Sequence, residues 1–181
     1  MRRLSRTKHR QPARSSAAAV TCSRHPTRAK ERPEQEKMKA TYPKGRKGEE
    51  IRMLCEYRLQ TQQKGFHDIT AQVREAIAKS GVVSGIAVAY CPHTTAGITI
   101  NENADPDVAR DLLLGLDKAF PEHSAFRHAE GNSPAHLKAS ALGASATVII
   151  DGGALVLGTW QGIYFTEFDP PRSRTFYVKV L

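Results

Sequence analysis

Residues 82–107, VVSGIAVAYCPHTTAGITINENADPD, contain the strongest structural signals in the chain. Val82 to Tyr90 is apolar and rich in β-branched side chains, which is typical of a buried strand, and Gly85 within it indicates a bulge or a close backbone approach. Gly97 to Ile100 predicts a second strand. Asp105-Pro106-Asp107 predicts a helix start, because Asp caps free amides and Pro fits the first helical position. Two strands and a helix in so short a span favour a mixed fold.

Further elements follow on both sides of this stretch. Strands outnumber helices, the connections are short and no repeated β-helix-β rhythm is visible, so the sequence predicts an α+β domain of two layers with three helices. The expected elements are a strand at Leu54 to Gln60, helices at Asp68 to Lys79, Asp105 to Ala119 and Ala135 to Leu142, a hairpin of Thr147 to Ile150 with Ala154 to Leu157, and strands within Gly158 to Phe168 and Thr175 to Leu181.

Two sets of apolar residues are assigned to the core. In the second helix, Val108, Leu112, Leu113 and Leu116 recur at helical spacing and are expected to face inward. Trp160, the only tryptophan, is assigned to the core because aromatic side chains are more often packed than exposed.

The charge of the chain is concentrated at its N-terminus. Residues 1–52 hold 16 of the 27 Lys and Arg residues but only five of the 18 Asp and Glu residues, so the remaining 129 residues carry 11 basic and 13 acidic groups. The high isoelectric point therefore describes the N-terminal segment, and nucleic-acid binding is confined to that basic tail. The longest apolar runs are far shorter than the ~20 residues of a membrane-spanning helix, so no membrane association is expected.

Residues 1–52 are predicted to be a disordered basic extension, because so few apolar groups cannot offset the entropy cost of ordering. Three explanations compete: an organelle transit segment, a solvated tail with weak affinity for polyanions, and an over-long gene model whose true start is Met38 or Met53. The last is slightly favoured, since Met53 directly precedes the first strand pattern. Residues 53–181 form the predicted domain.

The three cysteines, Cys22, Cys55 and Cys91, are odd in number and lack zinc-finger spacing, which favours a reducing compartment. We therefore expect a cytoplasmic protein, or an organelle protein if the extension is a genuine transit segment. Cys91 adjoins a polar loop and is open to two interpretations, a nucleophile or a small semi-buried residue at a strand end; the second is favoured.

Polar residues cluster in three loops next to strand ends or helix starts, where a rigid scaffold can present them to a ligand. The first contains His93-Thr94-Thr95, the second Asn101-Glu102-Asn103 with Asp105, and the third His128 and Glu130-Gly131-Asn132 leading to His136 and Lys138. Each residue alone is more often a turn or cap residue. Together they offer imidazoles for metal or proton transfer, carboxylates for Mg²⁺, and Thr, Lys and helix amides for phosphate.

Several familiar chemistries lose support. The chain contains no GxxxxGK[ST], GxGxxG, HExxH or GxSxG sequence, which argues against the common nucleotide-binding, zincin and serine-hydrolase sites. Two histidines on different loops and a third at a helix start would bind Zn²⁺ if the fold brought them together, but their spacing matches no recognised zinc signature.

Three motifs resemble one family. They are HTTAGITINENAD at residues 93–105, EGNSPAHLKAS at residues 130–140, and LGTWQGIY at residues 157–164 followed by Glu167-Phe168-Asp169. In this order they are similar to the YjbQ-like family, whose members carry the label secondary thiamine-phosphate synthase. The resemblance covers Met53 to the C-terminus.

The resemblance implies a compact domain with a β-sandwich-like core that assembles as a homotrimer. It implies a transferase that joins hydroxymethylpyrimidine diphosphate to hydroxyethylthiazole phosphate and releases pyrophosphate, so that the partner is a small phosphorylated metabolite. The implied catalytic residues are His93, His128, His136 and Lys138; the substrate-binding residues are Thr94, Thr95, Asn101, Gln161 and Glu167; the metal ligands are Glu102 and Asp105; Asp111 is also a family position.

In the implied reaction, Mg²⁺ on Glu102 and Asp105, with Lys138 and His136 nearby, would stabilise the departing pyrophosphate, while His93 or His128 exchanges a proton. Two alternatives use the same groups. One is a trimeric protein that binds a metal or phosphorylated metabolite, with synthase activity incidental. The other is a metal-dependent hydrolase with zinc-bound water as nucleophile.

Overall fold

Alternating burial explains the main strands of the molecule, a computed structural model that describes residues 20–23 and 53–181. The strands are β1 (Val20–Ser23), β2 (Met53–Gln60), β3 (Gly65–Asp68), β4 (Gly85–Tyr90), β5 (Ala96–Glu102), β6 (Ser145–Asp151), β7 (Ala154–Leu155), β8 (Gln161–Glu167) and β9 (Ser173–Val180); the helices are α1 (Thr70–Ser80), α2 (Pro106–Ala119) and α3 (Ser133–Leu142). In β2, for example, Met53, Cys55 and Tyr57 are buried while Leu54 and Arg58 are exposed.

The strands form two antiparallel sheets. The larger has the order β1-β2-β9-β4-β6-β7 and the smaller the order β3-β8-β5. In the smaller sheet β5 pairs with β8 along its whole length, from Ala96 opposite Glu167 to Glu102 opposite Gln161. This register places the start of β5, which follows the His93 loop, beside the end of β8, which carries Glu167.

The main core lies between the two sheets. Tyr57 stacks on Phe176 at a ring-centroid distance of 5.1 Å, and Phe165 of the smaller sheet lies 6.2 Å from Phe176. Helix α1 adds its predicted apolar stripe to this core, with Val73 and Ile77 buried. These observations confirm the α+β class, the β-sandwich-like core and the three helices.

Helices α2 and α3 build a second, smaller core with the residue that follows β8. Ala135 and Ala139 of α3 contact Phe168, and Leu113 and Leu116 of α2 pack against the same cluster. The predicted burial of the α2 stripe is therefore only partly right. No residue of α2 is fully buried, and Val108 and Leu112 line an open surface groove with Leu116. The helix is amphipathic, but its apolar face is wider than the surface it packs on.

Three other expectations differ from the structure. Trp160 is 62% exposed rather than in the core, because it lies in the turn before β8 and not within a strand. The fourth strand begins at Gly85 rather than Val82, and β3 was not expected, since Gly65 suggested a break rather than a strand start. Gly85 does mark a close backbone approach: a Cβ there would lie 2.0 Å from the Leu181 carbonyl oxygen.

The predicted N-terminal extension is described only at Val20–Ser23. These four residues form β1, which pairs antiparallel with β2 and so differs from the expected disorder. The free edge of β2 offers backbone donors and acceptors that a short segment with β-branched residues can satisfy. The rest of the extension, including Met38, lies outside the described residues. Within the described part, none of the helices has the length and apolarity needed to cross a bilayer.

Candidate functional site

Two predicted site histidines meet at the start of α3. His136 lies in the first turn of the helix, and His128 lies in the loop before it; their ring centroids are 5.1 Å apart and the rings are nearly perpendicular, at 84°. The backbone oxygen of Asn132 accepts hydrogen bonds from the amides of Ala135, at 2.9 Å, and His136, at 3.4 Å. Helix formation from Ser133 onward therefore fixes His136 next to the loop that carries His128.

The two imidazoles border a cavity of about 350 Å³ that is lined by Phe126, His128, Ser133, His136 and Leu137. The first turn of α3 offers few free amides, because Pro134 has no N–H and the amides of Ala135 and His136 already donate to the Asn132 oxygen. Phe126 and Leu137 offer apolar surface, and Ser133 offers a hydroxyl group. A small ligand with one anionic group and one apolar ring matches this lining.

Lys138, the third predicted catalytic residue of this segment, is held elsewhere. Its side chain is buried, with 7% of the residue exposed, and its amino group forms an ion pair with Asp117 of α2. A buried ammonium group needs such a partner because it loses its hydration. The pair connects α3 to α2, and through that connection Lys138 positions the helix on which His136 lies.

His93 is anchored to the larger sheet. Its Nε2 accepts a hydrogen bond from the backbone amide of Thr175 at 3.0 Å, and its ring stands edge-on to Phe165 with centroids 6.4 Å apart. Burial lowers the pKa of His93 from its ordinary value of 6.5, and the positive charge of Arg174 lowers it further. Thr94 is exposed, whereas Thr95 is buried and its hydroxyl oxygen accepts a hydrogen bond from Arg174 at 2.9 Å.

The carboxylate of Glu167 is fully buried, and both of its oxygens accept hydrogen bonds. Arg174 donates from Nε to Oε2 at 2.6 Å and from Nη2 to Oε1 at 2.5 Å. The amide of Asp169 donates at 3.0 Å and the Thr61 hydroxyl at 3.3 Å. Burial alone would lower the pKa of Arg174, but hydrogen bonding to Glu167 and its charge raise the pKa above its ordinary value. In this structure Glu167 therefore bonds to the protein itself and fixes the His93 loop through Arg174.

Asn132 connects this network to the two-histidine cavity. Its Nδ2 donates to Asp169 Oδ2 at 3.2 Å and to Glu130 Oε2 at 3.4 Å. The same Glu130 oxygen lies 4.0 Å from His128 Nε2. The end of β8 and the loop that carries His128 are therefore held together by one side-chain amide.

Arg174 and Asp169 are parts of this site that the sequence did not predict. A signal for Arg174 was present: it occupies the inward phase of β9 together with Phe176, Val178 and Val180, so a charged residue stands in the apolar register of an alternating strand. A charge in that position predicts a buried partner. The identity of the partner, Glu167 of β8, depends on how the two sheets pack.

The remaining predicted site residues make local contacts. Asp105 Oδ1 accepts from the Asp107 amide at 2.9 Å and so caps α2, as expected. Asn101 Oδ1 accepts from the Glu102 amide, and Gln161 Oε1 accepts from the Gly158 amide. Asp111 is exposed beside Arg110. The described residues contain no hydrogen bond or ion pair between these side chains and the two-histidine cavity.

The side-chain donors of the described residues fit the two predicted metals differently. Among residues 53–181, no three His, Cys, Asp or Glu side chains come close enough to hold an ion together, so the three histidines do not assemble a zinc site within the described part of one chain. Mg²⁺ is usually held by one or two carboxylates and completed by substrate phosphates and water. Glu102 and Asp105 fit that pattern, although one Asp105 oxygen serves the helix cap. Both metals stay predictions.

Cys91 is 1% exposed at the end of β4, and burial raises the pKa of its thiol to about 11. The thiol is therefore protonated near neutral pH, and because the thiolate is the reactive form, Cys91 is a packing residue rather than a nucleophile. The favoured interpretation of this residue from the sequence is confirmed.

The fold and site define a class of compact α+β domain with two antiparallel sheets and with a two-histidine cavity at the start of its third helix. A family model described as UPF0047 protein YjbQ-like matches residues 55–181, and the chain belongs to that family.

Relatives and solved structures agree with this membership. The chain is 58% identical over 115 residues to the UPF0047 protein YugU of Bacillus subtilis, covering 63% of this chain and 87% of that protein. It is 53% identical over 132 residues to a UPF0047 protein of Methanocaldococcus jannaschii, covering 72% and 96%. A crystal structure of a YjbQ/UPF0047 family protein from Clostridium acetobutylicum is 60% identical, with a TM-score of 0.68 and coverage of 70% and 98%. A protein of unknown function from Sulfolobus solfataricus is 32% identical, also with a TM-score of 0.68.

Proposed function

We propose that the chain is a transferase of the secondary thiamine-phosphate synthase type, which joins hydroxymethylpyrimidine diphosphate to hydroxyethylthiazole phosphate. The observation that carries the proposal is the perpendicular His128–His136 pair in a cavity of about 350 Å³ at the start of α3. The cavity combines proton-exchanging imidazoles and the N-terminal end of a helix with apolar surface, which suits a phosphorylated heterocycle.

The reaction breaks the bond between the pyrimidinylmethyl carbon and the diphosphate oxygen. The thiazole nitrogen supplies the electron pair for the new bond, and pyrophosphate leaves with the electrons of the broken bond. Negative charge grows on the departing oxygens, so groups that donate hydrogen bonds to them lower the barrier. In this proposal His136 and His128 donate to the pyrophosphate, and the N-terminal end of the α3 dipole adds a fixed partial positive charge.

Other residues act by holding this arrangement. Lys138 positions α3 through its ion pair with Asp117, and Asn132 positions the His128 loop through Asp169. Glu167 and Arg174 fix the loop with His93 and Thr95. Mg²⁺ held by Glu102 and Asp105 would neutralise pyrophosphate charge, and we propose it as a requirement to be tested.

We also propose that the molecule assembles as a homotrimer, as the family resemblance implies. The apolar groove of α2 has a volume of about 520 Å³ that a second copy could fill. It is lined by Val108, Leu112, Gly115, Leu116 and Ala119 together with Asp111. Association would bury the part of the amphipathic face that the second core leaves open.

The test is an assay of thiamine phosphate formation by the purified full chain from the two substrates, with and without Mg²⁺. We expect product, and a loss of about 10²-fold or more in turnover for His136→Ala, since a positioned proton donor contributes about 10²–10⁴-fold. His67→Gln is the matched control, because His67 lies on β3 and contacts the Gln63 carbonyl oxygen rather than the cavity.

Lys138→Ala should also lower turnover, by loosening α3, whereas Lys118→Ala at the exposed end of α2 should not. Folding of each variant is checked by thermal unfolding. Saturable binding of the substrates without product would favour a phosphometabolite-binding protein, and full activity of His136→Ala would remove the proposed role of the histidine pair.

A further inference from the structure

The hydrogen bond between the Thr175 amide and His93 restricts what this imidazole can do. Strand β4 pairs with β9 as far as Tyr90 opposite Tyr177, and the chain then leaves the sheet. Two residues further along β9, the Thr175 amide donates to His93 Nε2 at 3.0 Å. The imidazole thus supplies an acceptor beyond the last backbone pair of β4. Because a backbone N–H can only donate, Nε2 must be the unprotonated nitrogen.

The proton of neutral His93 is consequently on Nδ1. No hydrogen bond to Nδ1 occurs among the described residues, and Nδ1 is not one of the fully buried side-chain atoms without a partner. Nδ1 therefore keeps some exposed surface and has no partner among the described residues. Its position is fixed by the Thr175 bond on one side and by the edge-on contact with Phe165 on the other.

The charged groups around His93 also oppose a second proton. Arg174 of β9 and Arg172 of the preceding loop are positive, while Glu167 of β8 is negative but paired with Arg174. Burial and Arg174 lower the pKa of His93. Protonation at Nε2 would in addition place two N–H groups against each other and break the Thr175 bond. Burial and the two arginine charges thus outweigh the charge of Glu167, which favours protonation, and the pKa of His93 lies below its ordinary value.

We propose that His93, which does not itself line the two-histidine cavity, is a fixed neutral hydrogen-bond donor that offers Nδ1–H to an oxygen of an anionic ligand reaching its loop, and that it does not carry a proton in the reaction. Proton exchange then falls to His128 and His136, which have no comparable backbone donor on their rings in the described structure. The assignment of the tautomer stands on the geometry alone; the role toward the ligand rests on the proposed function.

The tautomer is tested by long-range ¹H–¹⁵N correlation spectra of the full chain labelled with ¹⁵N-histidine. His93→Gln assigns the His93 signals, because Gln keeps an acceptor near the Nε2 position and removes the imidazole. We expect the Nδ1–H pattern, retained below pH 6.5. His123 is an internal control with the opposite arrangement, since its Nδ1 accepts from the Ala125 amide at 3.1 Å and its neutral form carries the proton on Nε2. An Nε2–H pattern for His93, or its protonation at or above pH 6.5, would overturn the assignment.

The role toward the ligand is tested with inorganic pyrophosphate as the probe. We expect the His93 Nδ1 signal to move on addition of pyrophosphate while the His123 signals stay in place. A fixed His93 signal in a titration that moves the His136 signals would refute the donor role and leave the proposed function intact. If neither moves, the proposed pyrophosphate site itself is wrong.

The pH dependence of synthase turnover shows whether His93 carries a proton in the reaction. In His93→Gln the rate should fall while the midpoints of the profile stay where they are in the native protein, since no titrating group is lost. The disappearance of one limb of the profile in His93→Gln would show that His93 carries a proton and would overturn the proposal.

Discussion

Glu167 shows how the neighbours of a single residue set its role. The family motif identifies it as a substrate-binding position, whereas its carboxylate has no exposed surface and is satisfied by Arg174, Thr61 and the Asp169 amide. A carboxylate in that environment stabilises the fold only while its cationic partner is present.

Replacing Glu167 with Gln should lower the free energy of unfolding by about 3–5 kcal/mol, because the Arg174 charge is then buried without a counter-charge. Chemical denaturation measures the change. Glu56→Gln is the control, since the Arg58–Glu56 pair is exposed and 4.0 Å long, and its loss should cost less than about 1 kcal/mol. Equal effects of the two variants would contradict the structural role of the buried pair.

Local chemistry made some residues predictable. The capping role of Asp105 follows from a polar side chain before Pro106, and the inert character of Cys91 follows from its place at the end of an apolar strand. Lys138 was not predictable in the same way. Its assignment to a phosphate site used only its position in the first turns of α3, and the carboxylate that pairs with it belongs to another helix.

At the scale of elements, Gly85 marks a place where the backbone of one strand contacts the backbone of another segment. Gly85 begins β4 against the C-terminal residue, whose carbonyl oxygen accepts from the Ile86 amide at 2.9 Å. Such contact between backbones leaves no room for a side chain. The glycine was visible in the sequence, but its partner, Leu181, lies at the other end of the domain.

Gly85→Ala should destabilise the protein by about 1–3 kcal/mol or more, because the new Cβ would lie 2.0 Å from the Leu181 oxygen and the backbone must move. Gly158→Ala is the control: this exposed glycine precedes β8, and the nearest atom to its Cβ position is the flexible Gln161 side-chain oxygen at 3.4 Å, so the change should alter stability by no more than about 0.5 kcal/mol. Thermal and denaturant unfolding measure both. A tolerated Gly85→Ala would show that the end of the chain moves away at no cost.

Helical periodicity predicts the burial of α1 correctly but overestimates the burial of α2. The α1 stripe with Val73 and Ile77 is buried as expected, and Gly81 ends the helix in a left-handed conformation at φ 71°. The α2 stripe has the same spacing, yet only Leu113 and Leu116 reach the second core. Periodicity shows that a helix has an apolar face; the packing surface available decides how much of that face is covered.

At the scale of the whole molecule, the unpacked part of α2 bears on the proposed homotrimer. Leu112→Glu should convert the trimer to smaller species, because a carboxylate in the groove would be buried without a partner at an interface. Sedimentation velocity of the full chain measures the change. Leu114→Glu is the matched control, since Leu114 is 51% exposed and does not line the groove.

If the native chain and Leu112→Glu both sediment as trimers, the groove is not the interface. A native chain that sediments as a monomer would refute the proposed assembly itself. The two results are separate, because the first leaves the oligomer intact and the second removes it.

The sequence by itself determined the class of the domain, most of its strands and helices, and the start of α2 at Asp105. These features follow from interactions between residues close in the chain: alternation along a strand, helical spacing, and capping by neighbouring side chains. The same kind of evidence wrongly placed Trp160 in the core.

Only the tertiary structure decided which distant residues meet. It paired Glu167 with Arg174, Lys138 with Asp117 and His93 with the Thr175 amide, and it brought His128 to His136. The physical reason is that burial and hydrogen-bond partners depend on the packing of two sheets and three helices, and a charged or polar side chain takes its role from the partner that replaces its water.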